Sequence, residues 1–214
     1  MSIKQIGKHR VSENDIQNVD FNNLLEGKKA YILYTDPPWG DGNMKYWCTL
    51  NKRHTGKEIE AMSYKQLIQI IKGIIVNNVD GYVFLETGNK WLEETKNDLK
   101  DILFNAETYS LRYKSGSKLL TNPVIVGSTN PNIKLPDLSS LEGAIDEKSL
   151  EIAIPLLAKE GEILLDPCCG MGNSARSAIK NKMAFVGNEF NAKRLQKTIK
   201  SLEKDENIFL TAQK

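Results

Sequence analysis

Residues 162–190 read EILLDPCCGMGNSARSAIKNKMAFVGNEF. An apolar run, Ile163–Asp166, gives way to a turn with glycines at 170 and 172; a helical pattern follows from Asn173, and a second apolar run, Ala184–Glu189, ends on an acid. Strand, glycine turn, helix and strand in that order make a βαβ unit. Gly170 and Gly172 let the backbone approach a ligand closely at the N-terminus of the helix, and Glu189 stands where a carboxylate can accept hydrogen bonds from ribose hydroxyls. A turn that only closed the unit would not need that acid.

The rest of the chain repeats the alternation. Further strand-like runs fall at Ala30–Thr35, Gly81–Thr87, Thr108–Lys114, Pro123–Gly127 and Asn207–Thr211. Helical period appears at Ser63–Asn77, Trp91–Leu103, Glu147–Ala158, Asn173–Lys182 and Asn191–Lys204, with Leu67, Ile68, Ile71, Ile74 and Ile75 on one face of the first. The pattern predicts an α/β fold. Between Thr108 and Gly127 there is no room for a crossover helix, so those strands should form an antiparallel hairpin through Ser115-Gly116-Ser117. Gly40–Met62 and Ser128–Ala144 have no regular period and read as functional loops. No repeat or linker divides the sequence, which predicts one domain over residues 1–214.

Composition narrows the class without choosing a function. With 40% hydrophobic and 26% charged residues the chain is ordinary for a globular protein. No apolar run approaches the ~18 residues of a membrane span, and the polar N-terminus lacks the core of a signal peptide, so the expected location is the cytoplasm. Cys48, Cys168 and Cys169 suit neither a disulfide framework nor a metal set and should be free thiols. A net charge of +2 marks no nucleic-acid binder by itself, so any basic surface must be local.

By spacing, Gly170, Gly172 and Ala175 satisfy the dinucleotide pattern G-x-G-x-x-A. Asp166 decides against it. At the strand end beside the loop, its carboxylate would repel a pyrophosphate and attract the ammonium of an amino-acid moiety. S-adenosylmethionine has a ribose, no phosphate and such an ammonium.

The other unusual stretch is YTDPPWG, residues 34–40. Alone, Asp36-Pro37-Pro38-Trp39 reads as a strand-ending turn with a core tryptophan; beside a methyl donor it acquires a chemical reason. The exocyclic amine of a nucleobase is a poor nucleophile because its lone pair is conjugated into the ring. It must be held where the nitrogen can pyramidalise and face the methyl group in line. Asp36 can accept one N–H and the Pro37 carbonyl the other. The prolines fix φ near −65° and stiffen the turn, and Trp39 offers a flat face for an unstacked base.

Together these residues resemble the amino-methyltransferases of nucleic acid, in particular the permuted, beta-type group in which DPPY or DPPW precedes the cofactor motif. The resemblance covers most of the chain: DPPW at Asp36–Trp39, DPCCGMGNS at Asp166–Ser174, GNEFN at Gly187–Asn191 and DEKSLEIAIPLLA at Asp146–Ala158. It implies a Rossmann-like sheet of seven strands, mostly parallel with one antiparallel strand, and S-adenosylmethionine as cofactor. Asp166, Pro167, Cys168, Gly170, Gly172 and Asn173 would then form the cofactor loop. Lys148 would meet the donor's carboxylate, Glu189 its ribose and Phe190 its adenine. Cys168 stands where the family usually has Phe, which weakens packing beside the methionine moiety and removes no polar contact. DNA-modifying relatives commonly insert a recognition domain, whereas here nearly every residue is needed for the core; the small size resembles phage and mobile-element enzymes.

After the catalytic turn, GDGNMKYWCTLNKRHTGKE interleaves Lys45, Lys52, Arg53, His54 and Lys57 with Tyr46 and Trp47. Cations for phosphates and rings for bases are what an enzyme acting on a flipped base needs near its pocket. The hairpin tip, with Arg112 and Lys114, is a second candidate. His9-Arg10 and Lys28-Lys29 read as surface, and Trp91 as core. The sequence thus predicts a cytoplasmic, S-adenosylmethionine-dependent DNA methyltransferase acting on the N6 amine of adenine, acting alone, as a homodimer or with a second recognition subunit. The same chemistry on RNA adenine or cytosine N4, and a catalytically silent nucleic-acid-binding subunit of a heterodimer, are the alternatives.

Overall fold

In a computed structural model, which describes residues 2–212 and side chains as far as residue 206, the apolar runs become strands of one sheet. The elements are β1 (Ser2–Ile6), β2 (His9–Glu13), α1 (Phe21–Leu24), β3 (Ala30–Thr35), α2 (Asp41–Thr55), α3 (Tyr64–Asn78), β4 (Val79–Glu86), α4 (Leu92–Leu99), β5 (Phe104–Ser115), β6 (Lys118–Ser128), α5 (Lys148–Leu157), β7 (Ile163–Asp166), α6 (Asn173–Lys180), β8 (Ala184–Glu189) and α7 (Ala192–Ala212). The sheet has eight strands in the order β1-β2-β8-β7-β3-β4-β6-β5. Pairing is parallel from β2 through β8, β7 and β3 to β4, and antiparallel at β1–β2, β4–β6 and β5–β6.

The expected seven strands with one reversed are thereby corrected to eight, with β1 and β6 running against the rest. The N-terminal hairpin was not expected because Ser2–Ile6 and His9–Glu13 are short and largely polar; its two-residue turn turns on Gly7 at φ +52°. The run Asn207–Thr211, expected as a strand, belongs to α7. A helix already propagating from Ala192 adds a hydrogen bond with each residue, and that outweighs a weak β propensity.

Alternate residues of the strands face opposite layers. Ile32, Tyr34, Phe84, Leu164 and Phe185 pack with Leu150, Ile154 and Leu157 of α5, Ala175 and Ala178 of α6, and Leu195, Ile199 and Leu202 of α7. Leu33, Val83, Leu85, Leu165 and Val186 pack with Phe21 and Leu24 of α1, Leu67, Ile68, Ile71 and Ile75 of α3, and Leu99 of α4. Burying each such side chain stabilises the fold by roughly 1.5–3 kcal/mol before conformational entropy is subtracted. Ser63 starts α3 with a reciprocal capping box to Gln66.

Two regions read as loops are structured. Asp41–Thr55 of the first is the helix α2, closed by Gly56 at φ +73°. In the second, Glu142–Asp146 lies along the outer edge of β5. The amide of Ser110 donates to the Glu142 carboxylate at 2.9 Å and that of Gly143 to Ser110 O at 2.8 Å, while Arg112 exchanges backbone hydrogen bonds with Ala144 and Asp146, both 2.8 Å. His9, read as surface, is fully buried: the Phe185 amide donates to its Nδ1 at 3.0 Å. Among the described residues no helix is long and apolar enough to cross a membrane. The three cysteines are free.

Candidate active site

Four neighbouring parallel strands each deliver a carboxyl at their C-terminal ends. In sheet order they are Glu189 on β8, Asp166 on β7, Asp36 directly after β3 and Glu86 on β4. Motifs far apart in sequence meet because β7 pairs with β3. A pocket of ≈ 280 Å³ opens above these ends, and Asp36, Pro37, Pro38, Trp39, Trp47, Pro167, Cys168, Glu189 and Phe190 all line it.

The Asp36–Trp39 turn is held from several sides. Trp39 Nε1 donates to Asp36 Oδ1 at 2.8 Å, and the Trp39 ring meets Tyr113 of the hairpin edge-on, with centroids 4.9 Å apart. Gly40 lies against Trp91, where an added Cβ would sit 2.5 Å from the indole nitrogen; Gly88 lies against the Trp39 backbone. Trp91 also packs on Tyr64, so it supports the turn from the core side.

Asp36 faces the open side of the pocket, yet protein crowds it on the others. That loss of bulk water raises its pKa to about 6, against the pull of the Trp39 N–H and of Arg194. Glu86 is pushed up to about 8 by burial and then by the charge of Asp36. Asp166 is pushed up to about 7, again mainly by burial, although Ser174 Oγ donates to it at 2.5 Å and the Cys168 amide at 3.0 Å. Burial raises Glu189 too, and keeps both Cys168 and Cys169 as thiols.

Asp166 is 2% exposed and spends both oxygens on its own loop, so its direct work is to fix the Gly turn. Gly170 and Gly172 have φ of +53° and +85°. Both favour glycine by backbone conformation, and at Gly172 an added Cβ would also meet Thr198, 2.8 Å from its Oγ1 and 3.0 Å from its Cα, whereas at Gly170 it would meet only the movable guanidinium of Arg194. Gly170, Gly172, Asn173 and Asp166 underlie the pocket without lining it, and Lys148 is exposed at the start of α5.

The expected nucleic-acid residues divide. Lys45, Tyr46, Lys52 and Arg53 are exposed on the outer face of α2, whose opposite face, Met44, Trp47 and Cys48, lines the pocket. Trp47 therefore points inward, where the Arg194 guanidinium lies 4.1 Å above its ring. Lys52 pairs with Glu58 at 2.9 Å. Arg112 and Lys114 lie on β5, beside Tyr113.

Sequence reading missed Glu86, Arg194, Asn14, Asp15 and Asn188. The last links β2 to the turn after β7: Ser12 Oγ donates to it at 2.7 Å, and its amide donates to Asn14 O at 3.1 Å and Pro167 O at 3.4 Å. Only Asn188 carried a signal, through its place in GNEFN. Among the described residues, His9, Asp205 and Glu206 are close enough to share a cation. Because the Phe185 amide donates to Nδ1, however, neutral His9 carries its proton on Nε2, which faces the carboxylates as a donor and has no lone pair for a metal.

No family model matches the chain, and no curated protein matches it. Solved structures do. The crystal structure of M1.HpyAVI superposes with a TM-score of 0.64 at 14% identity, covering 90% of this chain and 97% of that one. The M1.HpyAVI complex with its cofactor, SAM, gives 0.64 at 13% identity, covering 90% and 98%. PvuII DNA methyltransferase, cytosine-N4-specific, gives 0.62 at 12% identity, covering 94% and 92%. The α/β architecture with its mixed sheet is the fold of these DNA methyltransferases over nearly the whole chain.

Proposed function

We propose that this chain is an S-adenosylmethionine-dependent DNA methyltransferase of the permuted amino-methyltransferase group, acting on the N6 amine of adenine. One observation carries the reading: Asp36–Trp39, the pair Pro167 and Cys168, and Asn188–Phe190, widely separated in sequence, line the same pocket. That pocket has acids at its base and Arg194 as its one basic lining residue. Such a donor set fits a cationic nucleoside with a ribose and does not fit a pyrophosphate. Glu189 would hold the ribose, Phe190 would lie on the adenine, and Lys148 would reach the carboxylate. When bound, the cofactor supplies the electrophilic methyl group.

The chain's own residues do the rest. Trp39 occupies one oxygen of Asp36 and orients the carboxylate, leaving the other to accept an N–H of the target amine. The Pro37 carbonyl would take the second N–H, drawing the nitrogen towards a pyramidal geometry and its lone pair out of conjugation with the ring. No strong base is required beforehand, since the proton can leave after the nitrogen has acquired its methyl group. Met44, Trp47, Ile59 and Met62 wall the pocket and exclude water. Outside it, Lys45, Tyr46, Lys52, Arg53, Arg112 and Lys114 would contact DNA.

PvuII methyltransferase acts on cytosine N4, and the same pair of acceptors would serve that amine, so cytosine is the second reading. Incubation with labelled cofactor and separate double-stranded DNA, single-stranded DNA and RNA pools, followed by nucleoside analysis, tests both. N6-methyladenine in DNA is expected; N4-methylcytosine or label confined to RNA replaces the substrate assignment, and no label in any pool removes the function.

A further inference from the structure

Glu86 is a buried acid for which the methyl-transfer chemistry so far gives no use. The parallel register of β3 and β4 ends with Thr35 opposite Leu85, so Asp36 and Glu86 follow at the same end of adjacent strands, close enough for the charge of Asp36 to act on Glu86. Residues two apart on a strand share a face, which places Glu86 with Phe84 and its partner Tyr34. The residue is 8% exposed. Tyr34 Oη lies 2.9 Å from one carboxyl oxygen, and Asn122 Nδ2 donates to the other at 2.8 Å. Among the described residues no lysine or arginine forms an ion pair with it.

Two carboxylates side by side, one buried without a counter-ion, are costly, and the cheaper arrangement keeps one proton between them. We propose that Glu86 is a positioning residue for Asp36: it remains a neutral carboxylic acid, joins the catalytic strand to the hairpin, and leaves the single negative charge on Asp36. The proposal rests on the methyl-transfer reading for the role of Asp36; the protonation of Glu86 is a property of the chain itself.

The proton goes to Glu86 because Asp36 has the donors that favour a charge, the Trp39 N–H and the nearby Arg194, whereas Glu86 has only Tyr34 and Asn122 against deeper burial and the charges of Asp36 and Asp166. The directions agree, with Glu86 near 8 and Asp36 near 6. The Tyr34 hydroxyl donates to one carboxyl oxygen and Asn122 Nδ2 to the other, so both oxygens are satisfied. A closed circuit results: β3 through Tyr34 to Glu86, Glu86 to Asn122 on β6, and β5 through Tyr113 back to Trp39.

Carboxyl titration by NMR, with the Asp and Glu side chains carbon-13 labelled and assigned through Glu86→Gln and Asp36→Asn, tests this without substrate. One glutamate carboxyl should titrate near 8, vanish in Glu86→Gln, and move to lower pH in Asp36→Asn, where the neighbouring charge is gone. A Glu86 that ionises in the ordinary carboxylate range, or ignores Asp36→Asn, overturns the proposal, and the titration of the wild-type chain decides even if a variant does not fold. In methyl-transfer assays Glu86→Ala should lower kcat roughly 10-fold or more and leave the KM for cofactor unchanged, with Glu86→Gln, a neutral isostere, restoring most of the loss. Equal impairment of the two variants at neutral pH counts against the neutral acid. A wild-type chain that methylates nothing removes the functional reading and leaves the titration to judge Glu86.

Discussion

Trp39 Nε1 donates to Asp36 Oδ1 at 2.8 Å, so the aromatic residue of the motif holds the acid of the same motif. Orientation of the carboxylate thus comes from within the turn, and the ring has a second duty besides offering a face.

Replacing Asp36 with Ala should lower turnover by ~10²-fold or more while sparing cofactor affinity, because the lost contact is strongest in the transition state. Trp39→Phe keeps an aromatic face and removes the N–H. Hydrogen bonds to charged groups contribute ~1.5–3 kcal/mol, so the pKa of Asp36 should rise by about one to two units. Pre-steady-state rates across pH read both effects.

The pH dependence of activity has a defined sign. Protonated Asp36 is a poorer acceptor, so methyl transfer should fall as pH drops through about 6. A rate that is flat through that range would return the Asp36 carboxyl to the ordinary carboxylate range.

Stability responds in the other direction. Asp166 holds its proton to about 7 in the fold, whereas an unfolded aspartate ionises near ~3.9. The native state then binds the extra proton between those values, and the stability tied to it is full below the lower one and lost as pH rises through the upper. Asp166→Asn, always neutral, should therefore gain on wild type in melting temperature between about pH 4 and 7, a comparison calorimetry makes directly.

Much of this site could be read from the sequence, and the exceptions share a cause. β3, β7 and β8 begin and end where expected because apolar runs stop abruptly at chemistry: Thr35 before Asp36, Asp166 before Pro167, Glu189 before Phe190. The hairpin followed from the lack of room for a helix between its strands. α2 was hidden because its inner stripe is Met44, Trp47, Cys48 and Asn51, a pocket wall mixing polar and apolar side chains, so no apolar period announces it. Glu86 was read as the tail of a strand; only the register that sets it beside Asp36 gives it meaning.

Two glycine substitutions should diverge. Gly172→Ala puts a Cβ at φ +85° and 3.0 Å from the Thr198 Cα, and should cost ~1–3 kcal/mol, a drop of several degrees in melting temperature. Gly73→Ala on α3 meets nothing within 4 Å and should stabilise by ~0.5–1 kcal/mol.

S-adenosylhomocysteine should raise the melting temperature, by the equivalent of ~2.7 kcal/mol at a hundred times its dissociation constant, and NAD should not. Glu189→Ala should weaken that response. A response to NAD alone would contradict the cofactor assignment.

Nucleic-acid affinity should fall steeply with salt, and Lys52→Ala with Arg53→Ala should reduce the log–log slope by about 2 if both meet phosphate. Folding stability should hardly change, since the exposed Lys52–Glu58 pair contributes little. An unaltered slope would place the phosphates elsewhere.

The strip Glu142–Asp146 closes the outer edge of β5 from Ser110 to Lys114, where Lys114 N also donates to the Asp146 carboxylate at 3.2 Å. An open edge invites another chain to pair with it and start aggregation. Here the inviting groups of the arm are already taken, so a peptide or a second copy cannot extend the sheet along that stretch. Shortening the strip by two residues would reopen the edge, and the same chain would become prone to edge-to-edge aggregation.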